Sequence, residues 1–222
     1  MVNNASFCIV DVLSERQRAE LEAQGSPVRF PVGHTIFLEG QPSRSVLVIQ
    51  EGNVKITQRA EDKTEVLLAV RGPGEVMGDE GVLMQEPRSA TVTTVTEVAG
   101  VDIAAADLLA FVEKHHLWPV MYRAAVRRRR ESDQTSLLAR LDVKSRLARW
   151  LVELVDDIGK REEEGWVISA ALSQRDLASH IGASRDAVAI ELRRLRELGV
   201  VTTGRRQIVV NDLDELRKIA ES

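Results

Sequence analysis

Cysteine is almost missing. Cys8 is the only one in 222 residues, which excludes an internal disulfide and argues against a cysteine-ligated zinc site or iron–sulfur cluster. Histidine is nearly as scarce. Of the four, only His34 lies in the β-rich part of the chain; His115 and His116 sit at a helix junction and His180 lies far downstream. A metal-dependent cupin enzyme draws several histidine and carboxylate ligands into one barrel, so that class is disfavoured. His34, near a strand start, is a poor axial ligand for haem. The chain is therefore read as a non-enzyme, with no metal and no catalytic residue. No apolar run approaches the roughly 20 residues of a membrane span. The opening Met-Val-Asn-Asn-Ala-Ser lacks the basic stretch and apolar run of a secretory signal, so a cytoplasmic protein without membrane contact is expected. Aromatics make up only 4%, yet hydrophobic residues reach 44% and charged residues 29%, the balance of a soluble chain with one or two cores.

What the sequence does hold is densest at 172–210, LSQRDLASHIGASRDAVAIELRRLRELGVVTTGRRQIVV. It reads as helix, tight turn, helix and hairpin. Ser173 is placed to cap the first helix, with Asp176 completing a capping box. Gly182 falls in the turn, and Ser184 caps the second helix. Val188, Leu192 and Leu195 recur at helical spacing as a buried stripe. The opposite face carries Arg185, Asp186, Ala189, Ile190, Arg193 and Arg196. An Arg-rich, small-residue face on a short helix suits the DNA major groove. Arg205 and Arg206 sit at the tip of the hairpin as a wing, and Ser173 and Gln174 open the first helix beside the same surface. Seven arginines face four acids in this stretch, a local balance of +3 on a chain whose net charge is −4. That pattern suits a reader of double-stranded DNA better than a general polyanion binder.

Upstream, Leu13 to Gln24 reads as a short helix capped by Ser14. From Val28 to about Ile103, short β-rich runs broken by Gly and Pro predict a sandwich or barrel of jelly-roll type, with Glu51-Gly52-Asn53 as one turn. Asp107 to His115 is a helix. A longer one is predicted from His116 to about Leu141, with heptad seam positions Leu117, Met121, Ala124, Arg128, Glu131, Thr135 and Leu138. Apolar ends around a polar middle suit a two-fold dimer helix with a polar ligand at mid-seam; a helix resting on the β-domain is the alternative. Asp142-Val143 marks a boundary. Lys144 to Ile158 is a helix with Leu147, Trp150, Leu151, Leu154 and Ile158 inward, and GKREEEG at 159–165 is a charged loop. That loop is a candidate for RNA polymerase contact, with a solvated loop as the simpler reading. A short strand at 166–168 and a final helix at 212–220 complete the chain.

A second chemical pattern lies at Gly78-Asp79-Glu80-Gly81 followed by Arg88-Ser89-Ala90. A glycine turn opening a short helix offers backbone N–H groups, and ten residues later come a guanidinium and a hydroxyl. Together these are the donors and the charge that a phosphodiester takes, while an acid beside the glycine can accept from a ribose hydroxyl.

The order of β-sandwich with G-[DE]-x(8)-R-[ST]-A, long helix, then helix-turn-helix with G-x-S-R-[DE]-x-V resembles the Crp/Fnr family of bacterial transcription regulators over nearly the whole chain. The resemblance implies an α+β fold: a jelly-roll cyclic-nucleotide-binding-like domain at 1–115, a dimerisation helix at 116–141 and a winged helix-turn-helix domain at 142–222. It implies a homodimer on DNA, with a small-molecule effector in place of a cofactor, cyclic AMP or another cyclic nucleotide. Arg88 and Ser89 would then meet the cyclic phosphate, Gly78 would supply an amide, and the acid after it would hold the ribose 2′-OH. Glu131 and Ser132 would meet the adenine amine, and Arg185 and Asp186 would read G and C edges. Four positions differ from the family pattern. The ribose-binding Glu is Asp79; Glu80 stands where an apolar residue is usual and would either take the ribose hydroxyl in its place or repel the ligand's phosphate; and Glu131 stands where Thr is usual. The third base-reading Arg is Ile190, which can touch a thymine methyl but cannot pair with guanine. A DNA site related to the family's palindrome, yet different from it, is expected. A regulator with a different effector, or none, that binds DNA constitutively is the second reading.

Overall fold

The computed structural model describes residues 13–126, 141–163 and 165–221. Their contacts divide into two compact units, one built from 13–58 and 71–126, the other from 59–70, 141–163 and 165–221.

In the first part of the chain, α1 (Glu15–Glu22) is followed by strands β1 (Ser26–Phe30), β2 (Thr35–Phe37), β3 (Ser45–Glu51), β4 (Val54–Arg59), β5 (Glu65–Arg71) and β6 (Val76–Met77). A short helix, α2 (Asp79–Met84), leads to β7 (Thr91–Thr94), β8 (Val98–Ala104) and α3 (Ala105–Lys114). The strands form two four-stranded sheets, ordered β1-β8-β3-β6 and β2-β7-β4-β5. The jelly-roll reading of this region agrees with that arrangement. Ser14 caps α1 through a capping box with Gln17.

β3 shows why the sheets stack as they do. Successive side chains on a strand point to opposite faces. Val46 and Val48 join Phe111, Leu117 and Met121 in one apolar cluster. Leu47 and Ile49 join Phe37, Val54, Met77 and Val92 in another. An unbroken Val-Leu-Val-Ile run is thus buried on both faces, with helices on one side and the second sheet on the other. The β3–β4 turn needs Gly52, whose φ is +83° and where a Cβ would run into the Glu97 carbonyl.

The long helix differs from expectation at its start. His116 has φ +53°, and its backbone N–H donates to Glu113 O at 3.2 Å, so the chain turns there. Helix α4 is described over 118–126. Leu117, Met121 and Ala124, expected on a seam between two helices, are instead packed with Val120 into the β-sandwich's own core. Heptad spacing reports a buried stripe and leaves open which neighbour buries it; here α3 and the Val46–Val48 face do so. Trp118 and Tyr122 point outward, and Tyr122 is 72% exposed. The other seam positions, Arg128, Glu131, Thr135 and Leu138, lie outside the described residues.

In the second part, α5 (Val143–Ile158) is followed by β9 (Lys160–Glu162), β10 (Gly165–Ser169), α6 (Gln174–Ile181), α7 (Arg185–Glu197), β11 (Val201–Gly204), β12 (Gln207–Val210) and α8 (Leu213–Glu221). The inward residues expected of α5, from Leu147 to Ile158, are buried. The charged 159–165 segment is only partly a loop: Lys160–Glu162 pairs antiparallel with β10 as the edge of a sheet ordered β11-β12-β10-β9. Lysine and glutamate on an edge strand discourage pairing with another chain.

Asp142 caps α5, accepting from the Ser145 N–H at 2.7 Å, and hydrogen bonds from Ser145 hold its carboxyl below the usual range. Asp142→Ala should cost about 1 kcal/mol at neutral pH. Because the folded-state value is depressed, that contribution is present above the unfolded carboxylate pKa and disappears as pH falls through the folded one. Denaturant melts of both proteins should therefore differ at pH 7 and converge in acid; a difference independent of pH would contradict the cap.

Candidate functional site

Two constellations singled out in the sequence each come together in space. The first surrounds Arg88. Gly78 adopts φ +82° between β6 and α2, and a Cβ there would run into Arg88 Nη1. The turn glycine therefore serves two ends, a left-handed backbone and room for a guanidinium. Arg88 Nη1 donates to Gly78 O at 2.9 Å and Nη2 to Ser45 O at 2.6 Å. Its guanidinium carbon lies 3.8 Å from the centroid of the Phe37 ring. The backbone is fixed as well: Arg88 N–H donates to Gln41 O at 2.8 Å, and Arg88 O accepts from the Gly40 N–H at 2.9 Å.

Arg88 is only 6% exposed. Burial lowers its basicity and nearby Asp102 offsets part of that, yet a guanidinium keeps its proton in protein surroundings. Among the described residues no carboxylate lies within ion-pair distance of it. A buried cation satisfied by two neutral carbonyls retains its full charge in a poorly hydrated place, where an anion would be strongly attracted. Ser89 is exposed beside it, with its carbonyl accepting from Gln58 Nε2 at 3.2 Å. Asp79 is buried at the start of α2, while Glu80 is exposed and its Oε2 accepts from Ser89 Oγ at 3.1 Å. Glu131 and Ser132 lie outside the described residues. Phe37, Ser45 and Gln58 were not legible as members of this cluster, because they lie on strands far away in sequence and carry no motif.

The second constellation is the winged helix-turn-helix. Ser173 accepts from Asp176 N–H at 3.1 Å, and Asp176 Oδ2 accepts from Ser173 N–H at 2.7 Å, so the expected capping box is closed. Gly182 ends α6 at φ +62°, and Ser184 Oγ accepts from the Ala187 N–H at 3.1 Å to start α7. Val188, Leu192 and Leu195 are buried. Gln174, Arg185, Asp186, Ile190 and Arg193 are exposed along one side of the motif, with Ala189 partly so. Ile190 is 53% exposed, a β-branched apolar side chain held in water on the face read as the DNA face. Arg205 and Arg206 form the hairpin tip, where Arg206 has φ +63°.

Three arginines of α7 have partners within the helix or on the wing. Arg196 donates to Thr203 Oγ1 at 3.1 Å and braces the first wing strand; Arg193 pairs with Glu197 at 2.8 Å. Arg194 pairs with Glu191 Oε1 at 2.7 Å, while Glu191 Oε2 is buried without a hydrogen-bond partner. A carboxylate at an inward position of an apolar helix face is costly even when paired. Glu191→Leu should stabilise this unit by about 1 kcal/mol in denaturant melts; a lower midpoint would show that the pair is needed.

Comparison with known proteins finds a known domain over each of these two regions. The family model of the cyclic nucleotide-binding domain matches residues 27–115, and that of the Crp-like helix-turn-helix domain matches residues 145–219. A β-sandwich of the first kind joined to a winged motif of the second defines a class, the DNA-binding transcription regulators that carry a cyclic-nucleotide-binding domain. A CRP-like cAMP-activated global transcriptional regulator of Mycobacterium tuberculosis is 31% identical over 204 residues, covering 91% of this chain and 91% of its own. The cyclic AMP receptor protein of Thermus thermophilus is 28% identical over 193 residues, 86% of each chain. In fold, the chain resembles the c-di-GMP responsive global regulator CLP of Xanthomonas campestris, with a TM-score of 0.72 at 21% identity over 90% of this chain and 100% of that one. The chain belongs to the Crp/Fnr family of transcription regulators. Among its described residues no helix is long and apolar enough to cross a membrane.

Proposed function

We propose that the protein is a dimeric regulator whose affinity for DNA is set by a cyclic nucleotide, cyclic AMP first, bound in the β-sandwich. The observation that carries this reading is Arg88: a buried guanidinium, pinned by the Gly78 and Ser45 carbonyls against Phe37, with no carboxylate of the described residues on it. A phosphodiester supplies the missing negative charge, and the cAMP-activated relative supports cyclic AMP as its source. In this reading Arg88 and Ser89 hold the phosphate, Gly78 adds an amide, Asp79 takes the ribose hydroxyl, and Glu131 and Ser132 meet the base. The effector domain is 1–115, the dimer helix 116–141 and the DNA-binding domain 142–222. Because Leu117, Met121 and Ala124 are used within the β-domain, the dimer contact falls to the outward face that includes Tyr122. Ser173, Gln174, Ser184, Arg185, Asp186, Ala189, Ile190, Arg193, Arg205 and Arg206 face DNA, with two recognition helices about one DNA turn apart. The protein acts in the cytoplasm, with RNA polymerase a partner at promoters.

The hydrogen bond from Ser89 to Glu80 favours a second reading, in which the effector differs or is not needed. Calorimetric titration of cyclic AMP and cyclic GMP into the full chain separates the two. Micromolar or tighter binding of either supports the first, and no heat from both supports the second.

A further inference from the structure

Glu80 bears directly on what the Arg88 site accepts. It lies two residues after the turn glycine, and its side chain reaches back to Ser89, whose hydroxyl donates to Glu80 Oε2 at 3.1 Å. Ser89 is held from its backbone side by Gln58 Nε2 on its carbonyl. The neighbouring guanidinium is buried, and both of its hydrogen-bond acceptors are neutral carbonyls. The site thus presents the cation and the hydroxyl that a phosphodiester takes, with the hydroxyl already given to a carboxylate of the chain itself. An anion that uses Ser89 must take the hydroxyl from Glu80 and then sit beside its charge. Like charges at close range repel. Glu80 stands exposed in the first turn of α2, and its carboxylate makes no ion pair among the described residues.

From this geometry we infer that Glu80 is a specificity-determining residue, a built-in rival for the ligand's phosphate that weakens anionic nucleotides relative to uncharged ones. The inference rests on the reading of Arg88 and Ser89 as the phosphate site. Removing the charge should tighten a cyclic nucleotide and leave a nucleoside indifferent. Removing the hydrogen-bond acceptor as well should do at least as much.

The test is calorimetric titration of cyclic AMP and of adenosine into the full chain as wild type, Glu80→Gln, Glu80→Leu and Arg88→Ala. Glu80→Gln should bind cyclic AMP tenfold or more tightly than wild type, Glu80→Leu at least as tightly as Glu80→Gln, and adenosine should change less than about twofold. Unchanged or weaker cyclic AMP binding in both Glu80 variants, with binding still lost in Arg88→Ala, overturns the inference and leaves the phosphate site standing. Equal tightening of adenosine also overturns it, because relief of crowding and not of charge would then be the cause. Failure of cyclic AMP to bind wild type and both Glu80 variants overturns the phosphate-site reading, and the inference falls with it.

Discussion

Arg88→Ala should abolish cyclic-nucleotide binding and lower the stability of the β-sandwich in the same protein. An arginine on the open surface can be removed with little effect on the fold. Arg88 is different because its guanidinium satisfies the Gly78 and Ser45 carbonyls from a buried position. Each carbonyl left without a donor costs about 1–3 kcal/mol, and removing the side chain also leaves a void against Phe37. Arg88→Lys makes the distinction sharper. It restores a positive charge but has one ammonium in place of a planar fork, so it cannot reproduce both bonds together with a bidentate phosphate contact. The lysine variant should recover part of the stability and little of the binding. Denaturant melts followed beside calorimetry check this, and an alanine variant that melts like wild type and binds nucleotide would contradict the role given to Arg88.

Arg185→Ala should remove sequence preference on DNA while leaving the winged domain folded. Arg185 is the first residue of α7, and its side chain is 60% exposed and lies 3.4 Å from the neighbouring Asp186. Such an exposed, weakly tethered guanidinium costs little to redirect to a base edge, and a bidentate contact to guanine is worth about 1–3 kcal/mol of discrimination at each half-site. Arg205 and Arg206 at the wing tip should behave differently, weakening all duplexes alike and flattening the salt dependence. Fluorescence anisotropy against a duplex selected from a random pool, and against its scrambled partner, reads both. An Arg185→Ala variant that keeps the wild-type preference would place base reading elsewhere on the helix.

Local chemistry made the helix-turn-helix legible. Ser173 with Asp176, Gly182, and Ser184 each declare a helix end through their nearest neighbours in the chain, and the Val188–Leu192–Leu195 stripe declares the buried face. The jelly roll was legible for a similar reason, since turns such as Glu51-Gly52-Asn53 punctuate short apolar runs. What stayed hidden depends on distant partners. Leu117, Met121 and Ala124 show a stripe that fits either a dimer seam or a helix resting on the β-domain, and only the fold decides for the second. Arg88 and Ser89 could be picked out from their spacing to Gly78. The Ser45 carbonyl and the Phe37 ring that orient the guanidinium lie on strands with no motif of their own. Glu191 reads as one more charge on an Arg-rich helix until its inward direction is seen.

The most direct test of ligand control is the affinity of the full chain for its selected duplex with and without saturating cyclic AMP, measured for wild type and Arg88→Ala at one salt concentration. The nucleotide should tighten wild-type binding tenfold or more and leave Arg88→Ala unchanged. Equal wild-type affinity with and without cyclic AMP would contradict ligand control, and would identify a regulator that reads DNA without that signal.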